Sequence, residues 1–130
     1  MSTPSNDPTD RPEAHAVRAV ALDYIEGWYD GDAEPMDRSL HDELVKRTQL
    51  NGGESAATDL RSVTKARMVE LTAAGGGTDV AEPGIEVFVD DVSDDIACAR
   101  TVCADFVDYL QLVKTSDGWK IANILFRTLR

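Results

Sequence analysis

The sequence is short of basic residues and of long apolar runs, and each shortage excludes a class of protein. Only 13 lysines and arginines oppose 24 aspartates and glutamates, which gives a formal net charge of −11. Because nucleic acids and anionic membranes are bound through clustered Lys and Arg, we expect neither as a partner. No run reaches the roughly 20 apolar residues of a membrane span, and residues 1–10 lack the apolar centre of a secretory signal. We therefore expect a cytoplasmic protein.

Cysteine and histidine are also scarce, with two of each. Cys98 and Cys103 fall in one predicted strand, about 16 Å apart at roughly 3.3 Å per residue, whereas a disulfide needs Cα atoms within about 7 Å. We expect both thiols to be reduced, on opposite faces of the strand, as small buried side chains. Because no Cys-His cluster is present, we expect no metal site and no cofactor.

Length and composition predict one globular domain. A chain of 130 residues with 42% hydrophobic residues can bury a core without disulfides or metal. Residues 1–10 are polar and contain proline, so we expect a disordered tail there and a single domain over residues 11–130.

A long amphipathic helix is predicted near the start of the chain. Asp10 is its expected N-cap, Pro12 lies in its first turn, and Gly31 ends it. Its buried stripe follows helical spacing and consists of Val17, Val20, Ala21, Tyr24 and Trp28.

Two shorter helices follow. One is predicted over residues 33–40 after the capping residue Asp32, and one over residues 65–74 after Thr64. The helix at 65–74 ends at three glycines, residues 75–77, which we interpret as a flexible connector.

Strands account for most of the remaining chain. A strand at 44–50 and a weaker one at 60–63 lie between the helices, and from residue 85 the apolar residues recur with period two. The four strands predicted in that second half span residues 85–92, 96–104, 106–115 and 119–128. The aspartates between the first two of these strands lack the spacing of a calcium-binding loop, so we expect a solvated turn there.

The last two predicted strands form a hairpin that is apolar on both faces. A half-exposed antiparallel sheet has one polar face. We therefore expect helices to cover one face of this hairpin and a second subunit to cover the other, in a homodimer.

Several blocks of the sequence resemble a known family. They are 24–32 (YIEGWYDGD), 40–47 (LHDELVKR), 107–114 (VDYLQLVK) and 119–123 (WKIAN). In this order they are similar to the putative lumazine-binding family of the nuclear transport factor 2-like superfamily, over about residues 14–126.

The resemblance implies an α+β fold of the cystatin-like, cone-shaped type. N-terminal helices would pack into the concave face of a strongly bent antiparallel sheet, with a pocket between them and a homodimer through the outer sheet face. The superfamily includes ketosteroid isomerases, dehydratases, polyketide cyclases and transport adaptors, so the fold does not fix the function.

Asp108 is the principal candidate for chemistry. Its same-face neighbours Phe106, Leu110 and Leu112 are apolar, and a desolvated acid has a raised pKa that suits proton transfer. The alternative is a structural ion pair: a two-residue turn at Asp117-Gly118 sets Asp108 opposite Arg127.

We favour that pair, and it predicts a lowered pKa for Asp108. Asp108→Asn should then cost stability while ligand affinity changes little. A carboxylate that lies in a cavity wall, more than about 4 Å from any Arg or Lys and within hydrogen-bond reach of a tyrosine or a bound ligand, would instead favour an enzyme.

Five other side chains are candidates for a site. Tyr24 and Trp28 lie one helical turn apart and serve either core packing or a pocket wall. Tyr109 and Asn123 of the hairpin are further pocket candidates, or else a core pair and a structural hydrogen bond. His41 is the second catalytic candidate, beside the simpler interpretation that it caps a local backbone group.

Three functions follow from these features. The favoured one is a protein that binds an unidentified small molecule in a cavity between helices and sheet. The second is an isomerase or dehydratase of the ketosteroid isomerase-like type that uses Asp108 or His41 as a base with a tyrosine hydroxyl. The third is a protein-protein interaction module.

Overall fold

The computed structural model describes residues 11–50 and 59–129. Within these ranges the elements are α1 Pro12–Asp30, α2 Ala33–Ser39, β1 Leu40–Gln49, β2 Leu60–Thr64, α3 Lys65–Ala73, β3 Glu86–Ser93, β4 Ile96–Val102, β5 Phe106–Thr115 and β6 Gly118–Thr128. The predicted α+β fold is confirmed. The tail at 1–10, Asp10 included, lies outside the described residues.

The strands form one six-stranded sheet in the order β2-β1-β6-β5-β4-β3. One detail of the prediction is wrong: the sheet is mixed, because β1 runs parallel to β6 while the other neighbours are antiparallel. β1 also begins at Leu40 rather than residue 44, since Leu40 already pairs with Ile121 of β6 across an irregular stretch. Pairing with a distant strand thus extends β1 into a polar segment.

The helix ends follow from local chemistry. Gly31 ends α1 in the left-handed conformation, with φ of 65°. The side chain of Asp32 accepts from the Glu34 amide at the start of α2, and that of Thr64 accepts from the Arg67 amide at the start of α3. Side-chain oxygens of this kind satisfy amides that have no partner inside the helix.

Helix α1 lies against strands β3, β4 and β6. Val17, Ala21 and Tyr24 of its predicted stripe are buried, and Val20 and Trp28 are partly buried. Two charged side chains of its first half fasten it to the sheet. Arg18 Nη1 donates to the Val87 carbonyl at 2.9 Å. Glu13 accepts from Lys114 Nζ at 3.0 Å and from Trp119 Nε1 at 2.8 Å, which ties the start of the helix to the β5–β6 hairpin.

The triple glycine is not a flexible connector, and that prediction is wrong. The Gly77 amide donates to the Trp28 carbonyl at 2.9 Å. A Cβ on Gly77 would lie 2.7 Å from Trp28 Nε1, so only glycine permits this close approach. The segment therefore packs closely against the backbone and the indole of Trp28.

The two cysteines differ in exposure. Both Cys98 and Cys103 are free thiols; Cys103 is buried as expected, but Cys98 is exposed, so its predicted burial is wrong. No helix within the described residues is long and apolar enough to cross a membrane.

Candidate functional site

Strand β5 places Asp108 inside the domain. Phe106, Asp108, Leu110 and Leu112 alternate with outward residues along the strand, and all four are buried. Asp108 has 0% of its surface exposed. A fully buried carboxylate is rare unless it has charged or hydrogen-bonding partners, so its surroundings are the natural place to look for a site.

The predicted pair between Asp108 and Arg127 is wrong. The turn consists of residues 116 and 117, with Thr115 paired to Gly118, and a bulge in β6 shifts the register again beyond Leu112. Asp108 consequently lies opposite Phe126, and Arg127 lies opposite Val107. Arg127 is exposed.

Asp108 instead contacts two residues from other strands. Its Oδ2 accepts from Thr101 Oγ1 of β4 at 2.9 Å, and its Oδ1 lies 3.9 Å from Lys46 Nζ of β1. Among the described residues, no donor makes a hydrogen bond to Oδ1. The Tyr24 hydroxyl also acts on this carboxyl, because hydrogen bonding from it lowers the pKa of Asp108.

Lys46 is buried as well, with 7% of its surface exposed. Its Nζ donates to Tyr24 Oη of α1 at 2.8 Å. We call Lys46, Tyr24, Asp108 and Thr101 the polar cluster; they come from four elements and meet between the helix and the sheet.

Aromatic rings enclose the Lys46 amine. Their centroids lie 4.5 to 5.9 Å from Nζ, and they belong to Phe126, Tyr24, Phe106 and Trp28. Distances below about 6 Å allow a cation to interact with the ring face. Trp28 and Phe126 are only half-buried, so this side of the polar cluster is the one closest to solvent.

Burial dominates the electrostatics of the polar cluster. Two unit charges 3.9 Å apart attract by about 4 kcal/mol at an effective dielectric constant of about 20. Removing two ions from water costs several kcal/mol for each. Burial accordingly raises the pKa of Asp108, against the opposing effects of Lys46 and Thr101, and it lowers the pKa of Lys46, against the opposing charge of Asp108.

The pKa of Asp108 is thus raised, whereas the pair with Arg127 predicted that it would be lowered. Burial also raises the pKa of the Tyr24 hydroxyl, with the Asp108 carboxylate as the next cause. Tyr24 therefore stays protonated. The polar cluster contains an acid, an amine and a phenol, and for all three burial disfavours the charged form.

A second set of polar side chains lies next to the polar cluster. The Tyr29 hydroxyl donates to Asp105 Oδ1, and the Tyr29 ring stacks on Phe106 with centroids 5.8 Å apart. Burial raises the pKa of the nearby Cys103 thiol to about 11. This thiol is therefore poorly suited to act as a nucleophile at neutral pH.

The structure places the predicted site residues in three separate locations. Tyr24 and Trp28 contact Lys46. Tyr109 and Asn123 lie on the outer face of the sheet, where Tyr109 is 60% exposed and Asn123 Nδ2 donates to Gln111 Oε1 at 3.2 Å. His41 Nδ1 accepts from the Glu43 amide at 3.0 Å, which is the local role described as the simpler interpretation.

A groove of about 420 Å³ lies on that outer face. Its lining includes Ile96, Gln111, Val113 and Asn123. It contains none of the buried ionisable groups, and it joins a surface with several exposed apolar side chains.

Lys46 and Thr101 were not among the predicted site residues. A lysine in a strand usually lies on a solvated face, but Lys46 shares its face with Leu44, which is buried. That alternation was a usable signal. Thr101 gave none, because its role depends on the alignment of β4 with β5, where it pairs with Asp108.

The residues of the polar cluster suit an organic ligand better than a metal. A single carboxylate with one lysine amine beside it is a poor metal site, because hard cations are held by several oxygen ligands. In residues 11–50 and 59–129, no group of three or more His, Cys, Asp or Glu side chains is arranged to hold a metal ion.

Comparison with protein families gives one match over nearly the whole chain. The family described as Putative lumazine-binding matches residues 12–127. Among curated proteins, none matches the sequence significantly.

Solved structures share the fold. An NTF2-like protein of unknown function from Shewanella baltica OS155 has a TM-score of 0.70 and 17% identity, covering 91% of this chain and 94% of that one. A ketosteroid isomerase-like protein from Erwinia carotovora atroseptica SCRI1043 has a TM-score of 0.61 and 16% identity, with 92% and 98% covered. A Putative Scytalone Dehydratase from Novosphingobium aromaticivorans DSM 12444 has a TM-score of 0.59 and 16% identity, with 91% and 85% covered. At these identities the likeness establishes the NTF2-like fold alone.

Proposed function

Because the chain belongs to the Putative lumazine-binding family, we propose that it binds a small, flat heteroaromatic molecule at the polar cluster. The observation that carries the proposal is the arrangement around Lys46. A buried amine lies among four aromatic rings, and beside it is a buried carboxylate oxygen with no donor among the described residues.

Each part of this arrangement has a counterpart in such a ligand. The half-buried rings of Trp28 and Phe126 offer faces for stacking. Lys46 Nζ can donate to a ring carbonyl, and Asp108 Oδ1 can accept from a ring N–H. Lumazines carry carbonyl and N–H groups on one flat bicyclic ring, so they are the first ligands to test.

Titration calorimetry with lumazine and related flat heterocycles tests the proposal. We expect Lys46→Met to weaken binding by up to about tenfold, because a hydrogen bond contributes about 0.5–1.5 kcal/mol. Lys114→Met is the matched control, since Lys114 pairs with Glu13 on the surface, and its affinity should equal the wild type. Equal affinity of the Lys46 variant would contradict the proposal.

A second candidate is an isomerase or dehydratase with Asp108 as the base and Tyr24 as the hydroxyl donor. The raised pKa of Asp108 favours it, because a poised base is most effective near the working pH. The 3.9 Å separation from Lys46 is just below the separation of about 4 Å expected of a catalytic carboxylate without a basic partner. Asp108-dependent exchange of deuterium from solvent into a carbon next to a ligand carbonyl would establish this second candidate.

The proposal includes a homodimer in the cytoplasm. Support for the dimer comes from apolar side chains on the outer sheet face, where Tyr109, Leu125 and Ile96 are 60%, 54% and 57% exposed. Soluble proteins rarely leave a large apolar patch uncovered. A light-scattering mass near 14.2 kDa, that of one chain, would contradict the dimer at micromolar concentration.

A further inference from the structure

We propose that Lys46 is a nucleophile and forms an imine with the carbonyl group of an aldehyde or ketone whose flat apolar body lies against the surrounding rings. This inference rests on the proposed function, because it assigns a reactive class of ligand to the same site. It goes beyond that function in that a covalent bond forms.

The geometry provides the amine with the surroundings that this reaction needs. Among the described residues, Lys46 Nζ makes one hydrogen bond, to Tyr24 Oη at 2.8 Å, and the Asp108 carboxylate oxygen is 3.9 Å away. An amine whose main function was an ion pair would donate directly to that oxygen at about 2.7–2.9 Å. Nζ is therefore positioned by the phenol and not bound tightly by the acid.

The protonation states suit the reaction as well. Tyr24 on α1 and Asp108 on β5 face the amine, and Cys103 lies beyond them after β4. Burial raises the pKa of Asp108 and lowers that of Lys46. Both shifts favour the neutral pair of a free amine and a carboxylic acid, which are the nucleophile and the proton donor of imine formation.

The step balances with these two groups. The lone pair of Nζ forms the C–N bond, and the carbonyl π electrons move to oxygen, which takes up a proton from nitrogen through Tyr24. The carboxylic acid of Asp108 then protonates the resulting hydroxyl group, and the C–O bond breaks to release water. The products are a protonated imine, one water and the Asp108 carboxylate, which then neutralises the imine charge.

A purely structural lysine is the alternative explanation, and it predicts a different reactivity. A buried structural amine reacts more slowly than exposed lysines, because reagents reach it poorly. A nucleophile reacts faster than they do, since each unit by which the pKa is lowered gives about ten times more free amine at neutral pH. The other three lysines, Lys65, Lys114 and Lys120, are internal controls in the same molecule.

Reductive trapping tests the inference. The folded wild-type protein is incubated at pH 7 with 2-naphthaldehyde and sodium cyanoborohydride, which fixes imines as secondary amines, and the modified lysines are located by peptide mass mapping. We expect Lys46 to be labelled faster than each other lysine, by about tenfold for each unit by which its pKa is lowered, and this preference to disappear in urea. Lys114→Met should retain the fast label and Lys46→Met should lose it.

A parallel titration with 2-naphthylmethanol separates two kinds of failure, because this alcohol has the same rings but cannot form an imine. If the alcohol binds and Lys46 is labelled no faster than the other lysines, the imine inference is overturned while the proposed function stands. If the alcohol does not bind and Lys46 is not labelled, the imine inference is overturned, and the titration with lumazine decides the proposed function by itself. Since the comparison among lysines is made in the wild type, the result does not depend on whether a variant folds.

Discussion

Replacing Asp108 with asparagine changes stability in a direction that depends on whether burial or ion pairing dominates at this position. The carboxyl is fully buried, and burial raises its pKa in the folded protein. Asparagine has nearly the shape of the protonated carboxyl and does not titrate. The variant therefore isolates the cost of the charged form.

The sign follows from proton linkage. In the unfolded chain the pKa of an aspartate is about 3.9, so between that value and the folded pKa the folded state holds a proton that the unfolded state has released. The stabilisation from this group is complete below the unfolded pKa and is lost as the pH rises through the folded pKa. Each unit between the two values corresponds to about 1.4 kcal/mol.

We expect Asp108→Asn to be within about 1 kcal/mol of the wild type near pH 4 and more stable than the wild type at pH 7, by about 1.4 kcal/mol for each unit of the shift. Urea unfolding followed by tryptophan fluorescence and circular dichroism, in steps from pH 4 to pH 8, measures the difference. Asp117→Asn, in the exposed turn, is the matched control for the loss of one negative charge.

The opposite outcome would refute this reasoning. If Lys46 holds Asp108 in its charged form, removal of the carboxylate should cost about 3–5 kcal/mol at pH 7. The deficit would then grow as the pH rises from 4, which is the signature of a lowered pKa. That result would also remove the neutral pair on which imine formation depends.

Three further substitutions test other parts of the account. Thr101→Val removes the donor to Asp108 Oδ2 and should lower the free energy of unfolding by about 1–3 kcal/mol; an unchanged urea midpoint would contradict that contact. Gly77→Ala places a Cβ 2.7 Å from Trp28 Nε1. It should lower the free energy of unfolding by about 1–3 kcal/mol and shift the tryptophan emission. An unchanged emission spectrum and stability would mean that Gly77 and Trp28 are less closely packed. Tyr109→Arg introduces a charge on the outer sheet face and should halve the mass measured by light scattering; an unchanged dimer would place the interface elsewhere.

Local patterns in the sequence predicted the elements well. The stripe of α1 has the helical period, and Gly31 and Thr64 act at the helix ends as their chemistry predicts. The alternation in β5 also correctly placed Asp108 on the buried face with its apolar neighbours. These features depend only on residues a few positions apart.

Features that depend on distant strands were not predictable. The parallel pairing of β1 with β6 joins segments about 80 residues apart in the chain, and no local signal indicates it. The turn one residue earlier and the bulge near Leu112 changed the partner of Asp108 from Arg127 to Phe126. Lys46 reaches Asp108 only because the sheet places β1 and β5 on either side of β6.

A crystal structure of the protein with a bound flat heterocycle, such as lumazine, tests the central claim most directly. We predict ligand density against the rings of Trp28 and Phe126, with a ligand oxygen within hydrogen-bond distance of Lys46 Nζ and a ligand N–H directed at Asp108 Oδ1. Density confined to the outer-face groove beside Gln111 and Asn123, with the polar cluster unchanged, would contradict the claim.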